Sequence, residues 1–181
     1  MNKSLQFYNY EAGYSHYTRR IQNIRQAKKY GEVIVAKPVL LLALIDGIDE
    51  GEFSNNRFIL NDWLEKRYEV LMRKFTRHSI FPDITGIDKP FWHLESDGFW
   101  HLHYNGEQQT KEHTPSKRWL KDNVQYASFD DDLWILLENK VMRQRLRDYI
   151  IEHKLSDNHD NWGTMAVERL SLMVGLLLAV A

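Results

Sequence analysis

The chain contains no cysteine, which excludes a disulfide framework and every thiolate metal site and fits a reducing compartment. Charge of one sign is also missing: 24 Lys and Arg stand against 25 Asp and Glu, for a net charge of −1. No global field therefore draws the protein to nucleic acid or membrane, and any such affinity must come from a local patch. The first ten residues, MNKSLQFYNY, hold no apolar run of the signal-peptide kind. The apolar run from Leu170 to Ala181 is shorter than the roughly 20 residues that cross a bilayer, so we expect a cytoplasmic protein. No Gly-rich phosphate loop, serine elbow, repeat or low-complexity tract occurs. What is present suffices for a core, at 43% hydrophobic residues over 181 positions. Residues 1–156 are expected as one domain, 157–163 as a linker and 164–181 as an apolar C-terminal helix.

Spacing and capping signals predict mostly helix. Ile21, Ile24 and Ala27 place a helix over Tyr14 to Tyr30, with Arg19, Arg20, Arg25, Lys28 and Lys29 around it and Gly31 at its end. Lys37-Pro38 opens a helix apolar on nearly every side, with the proline in the first turn and Gly51 near the end. Asn61 caps a third helix reaching about Thr76. Thr114-Pro115-Ser116 starts another, Ser128 with Asp131 resembles a capping box, and Val141 to Lys154 forms an amphipathic helix. Between them, residues 89 to 103, KPFWHLESDGFWHLH, read as two aromatic runs about Asp97-Gly98, the pair favoured in a tight turn with positive φ. The expected fold is thus α+β and mainly helical, a helical core with one antiparallel β-hairpin at about 90–104.

Catalytic chemistry finds no home. His93, His101 and His103 invite a zinc site, but strand alternation about a two- or four-residue turn sends His93 to the opposite face, and only an odd-length loop would gather all three. Asp83, Glu95 and Asp97 lack the lysine that a carboxylate-and-lysine nuclease needs. Asp130, Asp131 and Asp132 complement a helix start more simply than they bind a cation. We expect no catalytic residue, metal or cofactor. The basic residues between Arg19 and Lys37 are offset locally only by Glu32, which makes a binding face on a neutral molecule. A charged face is merely solvated in most proteins, so a second feature is needed.

That feature is a set of motifs: residues 37–46, KPVLLLALID; Gly51-Glu52 with Asn56-Arg57; residues 90–102, PFWHLESDGFWHL; and residues 114–117, TPSK. In this order, over about residues 15–155, the chain resembles the N-terminal recognition region of bacterial HNH restriction endonucleases. The likeness is to the sulfur-binding domains of modification-dependent enzymes that read phosphorothioated DNA. The resemblance implies three loops meeting at the DNA backbone, which would contribute Lys37, then Lys89, Pro90 and His93, then Ser116, Lys117 and Arg118. It implies double-stranded DNA as partner, with lysines and helix-start amides on phosphate oxygens and a poorly hydrated sulfur against the proline ring. His93 or Lys117 would reach guanine acceptors in the major groove. Where the family usually has an aromatic residue before the proline and a small one three after it, this chain has Lys89 and His93, which favour phosphate or base contact. No HNH nuclease motif follows residue 155. The expected function is a non-enzymatic reader of modified DNA, with the phosphorothioate as a candidate modification. A homodimer through the C-terminal helix would accompany that role, or replace it in an oligomerisation protein without nucleic acid; a metal-dependent nuclease is the third alternative.

Overall fold

A computed structural model describes residues 9–29, 31–77, 79, 85–106 and 114–155. The apolar run after Lys37-Pro38 forms α2, Ala36–Asp49, which ends just before Gly51 at φ 79°. Val39, Leu40, Leu42, Ala43 and Leu44 are each 0% exposed, so this helix is sheathed on all sides and forms the centre of the core. α3 (Asp62–Phe75), α4 (Asp88–His93) and α7 (Lys140–Ile150) pack on it, α1 (Tyr10–Gln22) and α6 (Asp131–Glu138) pack on α7 and on each other, and α5 (Lys117–Asn123) lies beside the sheet. As expected, Asn61 Oδ1 accepts from the Leu64 amide at 3.0 Å and Ser116 Oγ from the Trp119 amide at 3.2 Å. Each answers an amide that a helix start leaves without a partner.

One carboxylate ties three helices together. Asp46, 4% exposed on α2, receives the Arg67 guanidinium of α3 at 2.7 Å and Arg147 Nε of α7 at 2.9 Å. Among the described residues no helix is long and apolar enough to cross a membrane.

The architecture is α+β and mainly helical, but the expected hairpin at 90–104 does not form. Residues 88–93 are α4 and Leu94–Asp97 a short 3-10 turn, after which only β3, Trp100–Tyr104, is a strand. Its partner is β4, Val124–Phe129, antiparallel in the register Trp100 with Phe129 and Leu102 with Ala127. The physical reason lies in the spacing of Ile87, Pro90, Phe91 and Leu94, a helical i, i+3, i+4, i+7 pattern whose members are all buried. Gly98, at φ 79°, closes the 3-10 turn in left-handed conformation, a role that needs positive φ at one residue where a hairpin turn needs it at two. Facial alternation survives within β3 alone, where Trp100 and Leu102 are buried and His101 is exposed.

Two further expectations are corrected. The first helix spans Tyr10–Gln22, and Gly31, at φ 88°, lies between the short antiparallel strands β1 (Lys28–Lys29) and β2 (Glu32–Val33). Ser128 does not open a capping box: it sits in β4, its Oγ 2.9 Å from His103 Nε2, and Asp130 is the N-cap residue of α6 without a side-chain cap. The sheet is extended by Asn56 and Phe58. Phe58 exchanges both backbone hydrogen bonds with Ala127, at 2.7 and 2.8 Å, and the Asn56 amide brackets the Phe129 backbone at 2.8 and 2.9 Å. The expected linker and C-terminal helix at 157–181 lie outside the described residues.

Candidate nucleic-acid interface

Helix α4 sets the geometry. Phe91 and Leu94 are 0% exposed on its inner side, and the Trp100 indole donates to the Phe91 carbonyl at 2.9 Å while the two rings meet edge-on, 5.3 Å apart at 90°. With the inner face anchored, Lys89 and His93 are turned to solvent. Pro90 sits in the first turn, where its missing amide hydrogen costs no bond. His93 Nε2 lies 2.6 Å from Thr114 Oγ1, and Trp92 meets Trp119 edge-on at 6.1 Å. Thr114 and α5 are thereby fastened to α4.

Beside α4 opens a cavity of about 660 Å³, bordered by Arg25, Lys29, Lys37, Lys89, Pro90 and His93, with Val35, Ala36 and Met72 among its apolar walls. Four of the seven residues expected at the interface, Lys37, Lys89, Pro90 and His93, are brought together here. Ser116, Lys117 and Arg118 do not line it. The Ser116 hydroxyl is the cap of α5, Lys117 Nζ lies 2.6 Å from Glu65 Oε2, and Arg118, 93% exposed, faces Asp122 at 3.8 Å. Burial would raise the Glu65 carboxyl, but the ammonium groups of Lys117 and Lys121 bring it below its ordinary value.

The cations around the cavity differ in kind. Lys37 Nζ is 2.6 Å from Asp97 Oδ2, with the two side chains only 11% and 5% exposed. The other oxygen, Asp97 Oδ1, accepts the Arg25 backbone N–H at 3.1 Å. Lys89 and the Arg25 guanidinium are exposed and pair with no carboxylate among the described residues. His93 is held below its ordinary value, first by partial burial and then by Lys37 and Lys89, so it is neutral at pH 7 and offers one donor and one acceptor nitrogen. Sequence reasoning missed Arg25, Lys29 and Asp97 as members of this site. The cluster of bases before Lys37 signalled the first two; nothing local signalled the third.

The three histidines reach three separate partners, since His101 Nε2 lies 2.6 Å from Asp130 Oδ1 while His93 and His103 meet Thr114 and Ser128. Among the described residues no group of three or more His, Asp or Glu could hold a metal ion.

A sequence model of the ScoMcrA-like DNA sulfur-binding domain matches residues 15–162. The chain belongs to that family. A solved structure, the sulfur-binding domain of SprMcrA complexed with phosphorothioated DNA, has a similar fold, with a TM-score of 0.58. The two are 16% identical in sequence, over 83% of this chain and 95% of that one. No curated protein matches. Family membership agrees with the motifs that suggested it, of which the residues 90–102 form α4, its 3-10 turn and the start of β3.

Proposed function

We propose that the protein is a DNA-binding module that reads phosphorothioated duplex DNA, seating the modified phosphate group at the mouth of the cavity beside α4. The observation that carries this reading is the meeting of Lys89, Pro90 and His93 with Arg25 at one opening, in a chain whose family is a DNA sulfur-binding domain. Lys89 and the Arg25 guanidinium supply positive charge to the phosphate oxygens without first giving up a carboxylate. A sulfur atom is larger and more weakly hydrated than the oxygen it replaces, so it gains by leaving water for the Pro90 ring and the apolar side chains of Val35 and Ala36. Neutral His93 offers a base edge or the phosphate a directional hydrogen bond. Ser116 and Arg118 serve as outer contacts where the duplex extends past Thr114, while Lys117, held by Glu65 at 2.6 Å, stays beside the duplex without neutralising a phosphate. The module acts in the cytoplasm, by recognition and not by cutting.

The test is a titration against plain, methylated and phosphorothioated duplexes of one sequence at two salt concentrations. The phosphorothioated duplex is expected to bind about ten-fold tighter or more. Equal affinity for all three would sink sulfur recognition and leave a general DNA binder; no binding to any would sink the interface.

A further inference from the structure

The cavity's cationic wall is held from behind by a residue that does not line it. Asp97 ends the 3-10 turn after α4, and Gly98, left-handed at φ 79°, turns the chain away directly after it. The 5% exposed carboxylate reaches two other segments, the Lys37 ammonium 60 residues away in sequence and the Arg25 backbone N–H 72 residues away. Lys37 and Arg25 both border the cavity, as do His93 and Ser96 from the same turn as Asp97. We propose that Asp97 is a positioning residue for DNA recognition: it joins the segment after α1, the start of α2 and the end of α4 into one rigid rim. Lys37 belongs to that rim as a strut and not as a phosphate ligand, because its charge is already matched. This rests on the reading of the cavity as the DNA seat.

Charge and position predict opposite outcomes, which makes the idea testable. Removing a carboxylate near an anion seat strengthens the local positive potential, so by charge alone Asp97→Asn should tighten binding. Positioning predicts the reverse. In salt titrations of the full chain with phosphorothioated and plain duplexes, Asp97→Asn is expected to weaken phosphorothioate binding about five-fold or more. Lys37→Met is expected to weaken it too, with the salt slope unchanged. The pair K37M/D97L removes both charges together but also the acceptor of the Arg25 N–H, so its melting temperature should fall by only a few degrees, yet its binding should remain weak. Unchanged or tighter binding by Asp97→Asn would overturn the proposal. Full affinity in K37M/D97L would do so as well, by reducing the pair to a fold-holding role. A slope lower by about 0.9 in Lys37→Met would make Lys37 a direct phosphate ligand. An unaltered chain that binds neither duplex would instead remove the underlying reading of the cavity.

Discussion

Lys89 and Lys117 are both exposed lysines near α4 and α5, and their surroundings predict different electrostatic consequences. Lys89 meets no carboxylate among the described residues, whereas Lys117 sits 2.6 Å from Glu65. Each phosphate neutralised by an available cation contributes about −0.9 to the slope of log affinity against log salt on duplex DNA. Truncating Lys89 to alanine should therefore flatten the slope by about that amount. Between 50 and 200 mM salt, a four-fold change, the unaltered chain would lose about 3.5-fold more affinity than the variant. Lys117→Ala should leave the slope nearly unchanged, since a lysine must release Glu65 before it can gain a phosphate. It should cost the fold less than about 1 kcal/mol, because the pair is partly solvated and Lys121 also reaches Glu65. Fluorescence anisotropy with a labelled phosphorothioated duplex at five salt concentrations measures both slopes. A Lys89→Ala slope equal to that of the unaltered chain, or a flattened slope in Lys117→Ala, would refute the distinction between available and committed lysines.

Replacing His93 by Gln should abolish a pH response of binding. The His93 imidazole is depressed from its ordinary 6.5 by burial and then by Lys37 and Lys89, and a bound phosphate favours its protonated form. The unaltered chain should therefore gain roughly ten-fold affinity as pH falls from 7 to 5, and the variant should stay flat in the same titration. Folding carries the opposite sign. His93 and His103 are both depressed in the folded chain, the latter by burial and then by His101 and Arg57. Their contribution to stability is complete above about 6.5 and is lost as pH falls through that value towards the lowered ones, which denaturant melts at pH 7 and 5 would register. Asp46→Ala leaves Arg67 and Arg147 facing a buried gap. Both arginines are a quarter to a third exposed, so a loss of about 2–3 kcal/mol is expected, with a melting temperature about 4–10 °C lower by circular dichroism. Gly98→Ala forces an L side chain to φ 79° with its Cβ 2.9 Å from Arg20 Nη2, and should cost about 1–2 kcal/mol in urea melts.

Much of the helical frame was legible because its signals are local. The Lys37-Pro38 start, the Asn61 cap and the Ser116 cap each involve atoms within one turn, and the apolar run of α2 declares its own burial. The segment after Lys89 misled because aromatic residues suit strands and Asp-Gly suits turns, while the helical spacing of Ile87, Pro90, Phe91 and Leu94 carries the stronger information. Partners far apart in sequence left no trace at all. The carboxylates that occupy Lys37 and Lys117 lie 60 and 52 positions away, so the sequence marks both residues as available cations where the fold commits them. The residues of α4 that border the cavity were singled out through family likeness, not through composition, and of the bases before Lys37 only Arg25 and Lys29 lie at the cavity.

The junction of Asp46 with Arg67 and Arg147 also bears on how this reader could be transplanted onto another protein. A graft ending at Glu138, after β4 and α6, would carry every residue that borders the cavity. It would nonetheless strip one of two arginines from an anion sealed beneath them. The portable unit therefore extends through α7, because a buried carboxylate needs both of its arginines, and not because any residue bordering the cavity lies that far along the chain.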